Sequence, residues 1–67
     1  MIENNISTLI GKRRMTVAET ARLAKLKYTT VQNLYNDKTK GIDFITMDKL
    51  CFALDCTPGD LFTYIPD

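Results

Sequence analysis

The sequence predicts an all-α fold, a compact five-helix bundle formed by one domain spanning residues 1–67. Three observations carry that expectation. Apolar residues recur at helical spacing in successive segments, as in Ile6, Leu9 and Ile10 or in Met47, Leu50, Cys51 and Leu54. Helix-start signals precede several of these segments. No interval alternates apolar and polar residues for more than a few positions, so nothing reads as a strand.

Taken in order, the first helix is expected over about residues 4–13, with Ile6, Leu9 and Ile10 as its stripe and Ile2 extending it. It runs out in Gly11-Lys12-Arg13-Arg14, where cations suit the negative end of the helix dipole. Thr16 with Glu19 three residues later is a capping-box pattern and starts the second helix. Ala21, Leu23 and Ala24 supply its packing surface, and the small Ala21 lets the third helix approach closely. That third helix is expected from Tyr28 to Asn36. Val31 and Leu34 face the core, and Tyr35 packs beside them. The polar stretch Asn36–Gly41 has turn composition. Asp43 or Thr46 caps a fourth helix with the stripe Phe44, Met47, Leu50, Cys51 and Leu54. Thr57-Pro58-Gly59-Asp60 places a cap, a proline at the first position and an acid at the third. This start leads into a short fifth helix and tail carrying Leu61, Phe62 and Ile65, stopped by Pro66.

Composition narrows the function classes. An apolar fraction of 45% with 25% charged residues belongs to a folded domain rather than a disordered one. No apolar run approaches the roughly 20 residues needed to span a bilayer, and Met-Ile-Glu-Asn-Asn is not a signal peptide. A soluble cytoplasmic protein is the expectation, with no membrane partner. Cys51 and Cys56 are too few for a disulfide framework and have no histidine beside them for a zinc site, so they read as small buried hydrophobes and no metal is expected. Without histidine, a Gly-rich phosphate loop or a metal-ligand pattern, the chain is not expected to be an enzyme or to carry a cofactor.

The net charge of +1 hides a division. Residues 1–40 hold eight cations against three anions, a net +5, whereas residues 41–67 hold only Lys49 against five aspartates, a net −4. The basic part contains the third helix, which points to a polyanionic partner. Tyr28, Thr29, Gln32 and Asn33 follow i, i+1, i+4, i+5 spacing and share one outward face of that helix. The face offers hydrogen-bonding groups without formal charge, and basic residues frame it. Such a helix suits the reading of base edges while its surroundings hold phosphates. Gln32 and Asn33 can pair bidentately with adenine.

Residues 16–36 resemble the helix-turn-helix of the phage-repressor-like family, the Cro/cI or XRE type. Members often read Met-Thr-Gln-x-x-Leu-Ala-x-x-x-Gly-Ile-Ser-x-x-x-Ile. This chain keeps Met15, Thr16 and Ala21, with Leu26 and Val31 standing for the two isoleucines. Downstream, Leu50, Ala53-Leu54, Cys56-Thr57 and Leu61-Phe62 resemble the family's fourth and fifth helices, so the likeness covers nearly the whole chain. Four positions depart from it. Val17 stands where the family often has a glutamine that contacts a phosphate or braces the reading helix, and Thr20 replaces a buried leucine. Lys27 replaces the serine that caps the reading helix. Lys25 replaces the turn glycine, so either positive charge is wanted at a left-handed residue or the turn has another shape.

The resemblance implies a lambda-repressor-like bundle and a sequence-specific, double-stranded-DNA-binding transcriptional regulator, expected to act as a repressor. Tyr28, Thr29, Gln32 and Asn33 are the expected base-contacting residues. Thr16, Lys27, Thr30, Asn36, Lys38, Thr39 and Lys40 are the expected backbone contacts, the loop residues 38–40 on the strength of the resemblance. Lys12, Arg13 and Arg14 either reach flanking phosphates or compensate the dipole of the first helix. A domain of this size makes few base contacts, so a homodimer on a two-fold site is expected, through Phe62, Tyr64 and Ile65. It reads as a whole small regulator. The alternative is a protein-binding adaptor, antitoxin-like or anti-repressor, on the same fold.

Overall fold

Five helices and one small sheet account for the regular structure of the computed structural model, which describes residues 1–67. In chain order they are β1 (Ile2–Asn4), α1 (Ile6–Lys12), α2 (Val17–Ala24), α3 (Tyr28–Tyr35), α4 (Phe44–Leu54), α5 (Pro58–Leu61) and β2 (Phe62–Tyr64). Every helix contributes to one core: Ile6 and Ile10, Ala21, Val31 and Leu34, Leu50 and Leu54, and Leu61. α2 sits centrally, packed on both α3 and α4.

The capping signals read from the sequence are made as hydrogen bonds. Thr16 Oγ1 accepts from the Glu19 N–H at 3.0 Å while Glu19 Oε1 accepts from the Thr16 N–H at 3.0 Å. Asp43, rather than Thr46, caps α4 by accepting from the Thr46 N–H at 2.8 Å. At α5 the Asp60 carboxylate accepts from the Thr57 N–H at 2.9 Å. Hydrogen bonding from Thr46, side chain then backbone, holds the Asp43 carboxyl below its ordinary value. Asp60 is lowered by the Thr57 backbone N–H first, with the Thr57 hydroxyl, Arg13 and Lys12 assisting.

All four helices ahead of α5 close in the same way. Arg14, Lys25, Asp37 and Asp55 take left-handed φ values of 55°, 58°, 59° and 50°. The next residue's N–H then reaches back five positions: Met15 to Ile10, Leu26 to Ala21, Lys38 to Asn33 and Cys56 to Cys51, at 3.1, 2.9, 2.8 and 3.1 Å. This is the Schellman closure, in which an apolar contact usually joins the two bonded residues. Cys51 and Cys56 form such a pair. Both thiols are half-buried against the core. Burial, reinforced by Cys51, pushes the Cys56 thiol up to about 11, so it is no nucleophile near neutral pH.

Several expectations require correction. The fold is not purely α: β1 pairs antiparallel with β2 in the register Ile2↔Tyr64, Glu3↔Thr63, Asn4↔Phe62. Three-residue strands are too short to show a period of two, and it is pairing across the chain that makes them strands. Ile2 therefore belongs to the sheet and not to α1, which begins at Ile6. α5 ends at Leu61, so Phe62 lies in β2 and Ile65 beyond it. In α2 the inward face is Val17, Thr20, Ala21 and Ala24, leaving Leu23 half exposed. Thr20 is fully buried without an unsatisfied group, because its hydroxyl donates to the Thr16 carbonyl at 2.9 Å. Tyr35 and Phe44, expected to pack, are both exposed. Phe44 lies off the line of Met47, Leu50 and Leu54, at the start of α4.

Candidate nucleic-acid interface

The geometry of α3 follows from the turn before it. Lys25 sits at φ 58° and ψ 42°, close to an ideal left-handed residue. The turn therefore has the tight shape that the family's glycine serves, formed here by a lysine. Ala21 is buried where α2 meets α3, and Val31 and Leu34 hold α3 to the core from the other side.

This packing leaves Tyr28, Thr29 and Asn33 exposed along one face of α3. Gln32, the fourth residue of that face, is half-buried, so its amide presents less to an incoming groove. Thr30 is also half-buried. It lines a shallow cleft of about 270 Å³ with Asn33, Thr39, Gly41, Asp43 and Thr46, which brings the outer face of α3 together with the following loop and the start of α4. Asn36 ends α3, its N–H donating to the Gln32 carbonyl at 2.9 Å. Lys38, Thr39 and Lys40 are exposed in the loop beyond.

The N-terminus of α3 differs from the others. α1, α2, α4 and α5 each have a side-chain acceptor on a backbone N–H at or beside their first turn, from Asn4, Thr16, Asp43 and Asp60. α3 starts at Lys27 with no side-chain cap and no acid in its first turn. Its leading N–H groups and positive dipole end are thus open to an anion, with the cations Lys25 and Lys27 just ahead of it in the chain. Thr16 is occupied as a cap, but its hydroxyl proton remains available to an outside acceptor.

The cations of α1 are disposed otherwise. The Arg13 guanidinium donates to the Asp55 carbonyl at 2.9 Å, closing the C-terminal end of α4, and Lys12 and Arg13 both lie near enough to lower Asp60. Arg13 is therefore committed to the body of the protein. Arg22, Lys25, Lys27, Lys38 and Lys40 are exposed and cluster in sequence around α3.

Asn4 and Asn5, expected from the sequence to lie within the first helix, instead precede α1 and tie it to distant elements. Asn4 Nδ2 donates to the Leu34 carbonyl at 2.7 Å while its Oδ1 accepts from the Ile6 N–H at 2.9 Å. One side chain thus fastens the end of α3 to the start of α1. Asn5 reaches across to Thr63 Oγ1 at 2.8 Å and to the Asp60 carbonyl at 3.3 Å. No pattern of spacing marks such long-range bonds.

A family model for the Cro/C1-type HTH DNA-binding domain matches residues 5–67. The chain belongs to that family. One relative of this Cro/C1-type domain is the uncharacterized HTH-type transcriptional regulator YozG of Bacillus subtilis (strain 168), 35% identical over 63 residues, which cover 94% of this chain and 75% of the relative. In the Cro/C1-type domain described here, Val17 at the family's glutamine position is half-buried and packed against the core. The end of α3 is held by Asn4. No group of three or more metal-ligating side chains sits together, and no helix is long and apolar enough to cross a membrane.

Proposed function

We propose that this protein is a sequence-specific, double-stranded-DNA-binding transcriptional regulator that acts as a repressor, reading the major groove with α3. The observation that carries this reading is the exposed, uncharged face of Tyr28, Thr29 and Asn33, directly behind an uncapped helix start preceded by Lys25 and Lys27. Base edges ask for donors and acceptors without net charge, whereas phosphates ask for cations and free N–H groups. Thr29 and Asn33 are the principal readers, with Tyr28 against a thymine methyl or sugar and Gln32 at the margin. Thr16, Lys27, Thr30, Asn36, Lys38, Thr39 and Lys40 hold the backbone.

The test begins with selection of bound fragments from random duplex DNA, followed by Thr29→Ala and Asn33→Ala on the selected site. Each substitution removes a short uncharged side chain, so affinity for random DNA stays nearly constant. Discrimination falls by about 1–3 kcal/mol for a lost bidentate contact and by less for a single bond. Equal losses on selected and scrambled duplexes refute base reading by α3.

The same reading includes a homodimer through Phe62, Tyr64 and Ile65. Tyr64 is 68% and Ile65 39% exposed, while Phe62 is half-buried against the core. A two-fold pair through this ribbon presents two copies of α3 to half-sites about 34 Å apart. Sedimentation of wild type and of Tyr64→Ala with Ile65→Ala is the check. A monomeric wild type that binds one asymmetric half-site rules the dimer out.

A further inference from the structure

α4 carries more apolar surface than the domain covers. Leu50 and Leu54 are fully buried and Met47, Cys51 and Ala53 lie beside them, yet Phe44, Ile45 and Phe52 are 84%, 68% and 77% exposed. At about 3.6 residues per turn, Ile45 and Phe52 fall on one line along the helix, opposite Leu50 and Leu54. Phe44 lies to one side of that line. Single exposed hydrophobes need no explanation, but three large ones on one helix face mark a surface that something covers.

The charges around this face say what kind of partner fits. Asp48 and Asp55 are exposed beside it, and the one cation of α4, Lys49, is half-buried. These acids repel the phosphates of nucleic acid. A second copy of the chain is also a poor fit. Ile45 and Phe52 are placed symmetrically about the point between Asp48 and Lys49, so a two-fold axis through that point sets Asp48 beside its own copy and Lys49 beside its own. Like charges meet on both sides of the contact.

We propose that the outer face of α4 docks a basic amphipathic helix of another protein. The partner's apolar stripe covers Ile45, Phe52 and Phe44, and its Lys or Arg residues pair with Asp48 and Asp55. This is a helix laid against a helix, with the aromatic side chains as anchors and the aspartates setting sign and orientation.

The probe is a short Leu/Lys amphipathic peptide, compared with a Leu/Glu peptide of identical apolar stripe, each titrated into the isotope-labelled whole domain while backbone amide shifts are followed. The Leu/Lys peptide should shift the amides of residues 44–55 saturably, and the Leu/Glu peptide should leave them unmoved. Ile45→Gln with Phe52→Gln should weaken Leu/Lys binding by about tenfold or more, as expected for two lost apolar anchors. Because both side chains are exposed, the melting transition should persist. Asp48→Lys, which leaves the apolar groups in place, should weaken binding of the same peptide and keeps the test valid if the double variant does not fold. Equal binding of both peptides, shifts centred outside α4, no binding of the Leu/Lys peptide, or wild-type self-association abolished by Asp48→Lys would each overturn the proposal.

Discussion

Replacing Lys25 with glycine should make the protein more stable while weakening its hold on DNA. Lys25 is exposed, so its contribution to folding is almost entirely conformational. At φ 58° and ψ 42° its Cβ crowds the following carbonyl, a strain of about 1–2 kcal/mol for an L-residue. Glycine relieves that strain but adds freedom to the unfolded chain, which offsets about 0.4–1 kcal/mol. The closing bond from the Leu26 N–H to the Ala21 carbonyl, 2.9 Å long, survives in either case. The net gain is therefore about 0.5–1 kcal/mol, or roughly 2–8 °C in Tm for a domain of this size. Lys25→Ala is the control, since it removes the same charge and keeps the Cβ. Urea and thermal unfolding of wild type and both variants should place glycine above the other two. On DNA the two variants should behave alike, each losing about 0.9 from the slope of log affinity against log salt if Lys25 holds one phosphate. A glycine variant no more stable than the alanine variant refutes the left-handed turn.

Three further outcomes follow from the same geometry. Lys38→Ala and Lys40→Ala should each flatten the salt dependence of binding and weaken selected and random duplexes alike, read from affinities measured across a salt series; unchanged slopes remove the loop from the interface. Asn4→Ala, which breaks the bonds to Leu34 and Ile6, should cost about 1–3 kcal/mol in denaturant unfolding. Asp43 and Asp60 are lowered from the ordinary value of 3.8, so their contribution is complete above that value and is lost as pH falls through their folded values. Acid unfolding should accordingly be less pH-dependent in Asp43→Asn and in Asp60→Asn than in wild type.

The parts of the molecule legible in the sequence are those specified by neighbours. The Thr16–Glu19 box, the Asp43 cap, the Thr57-Pro58 start and the buried pair Val31 and Leu34 each depend on residues within one helical turn, and each is found as expected. The outward placement of Thr29 and Asn33 follows from the same periodicity. What stayed hidden depends on distant partners. β1 and β2 become strands only because they meet, and Asn4 reveals its role only where it touches Leu34. Thr20 reads as polar until its hydroxyl is seen to be satisfied by the Thr16 carbonyl one turn away. α4 failed for another reason. Eight of its 11 residues are apolar, so the pattern names no single buried face, and the domain is too small to cover them all.

The ribbon of β1 and β2 joins positions that are 64 residues apart, with the Met1 ammonium donating to the Ile65 carbonyl at 2.7 Å and the Ile65 N–H returning to Met1 at 2.8 Å. In a protein of otherwise local helical contacts, this is the longest loop to close and the shortest element to hold. It is the natural first unit to open in native-state fluctuations, at a free energy well below global unfolding. Opening it withdraws Asn4 from the end of α3 while Val31 and Leu34 stay packed. Fraying of this seam would therefore loosen the anchorage of the helix proposed to read DNA, and amide exchange at Asn5 and Ile65 reports how often the seam opens.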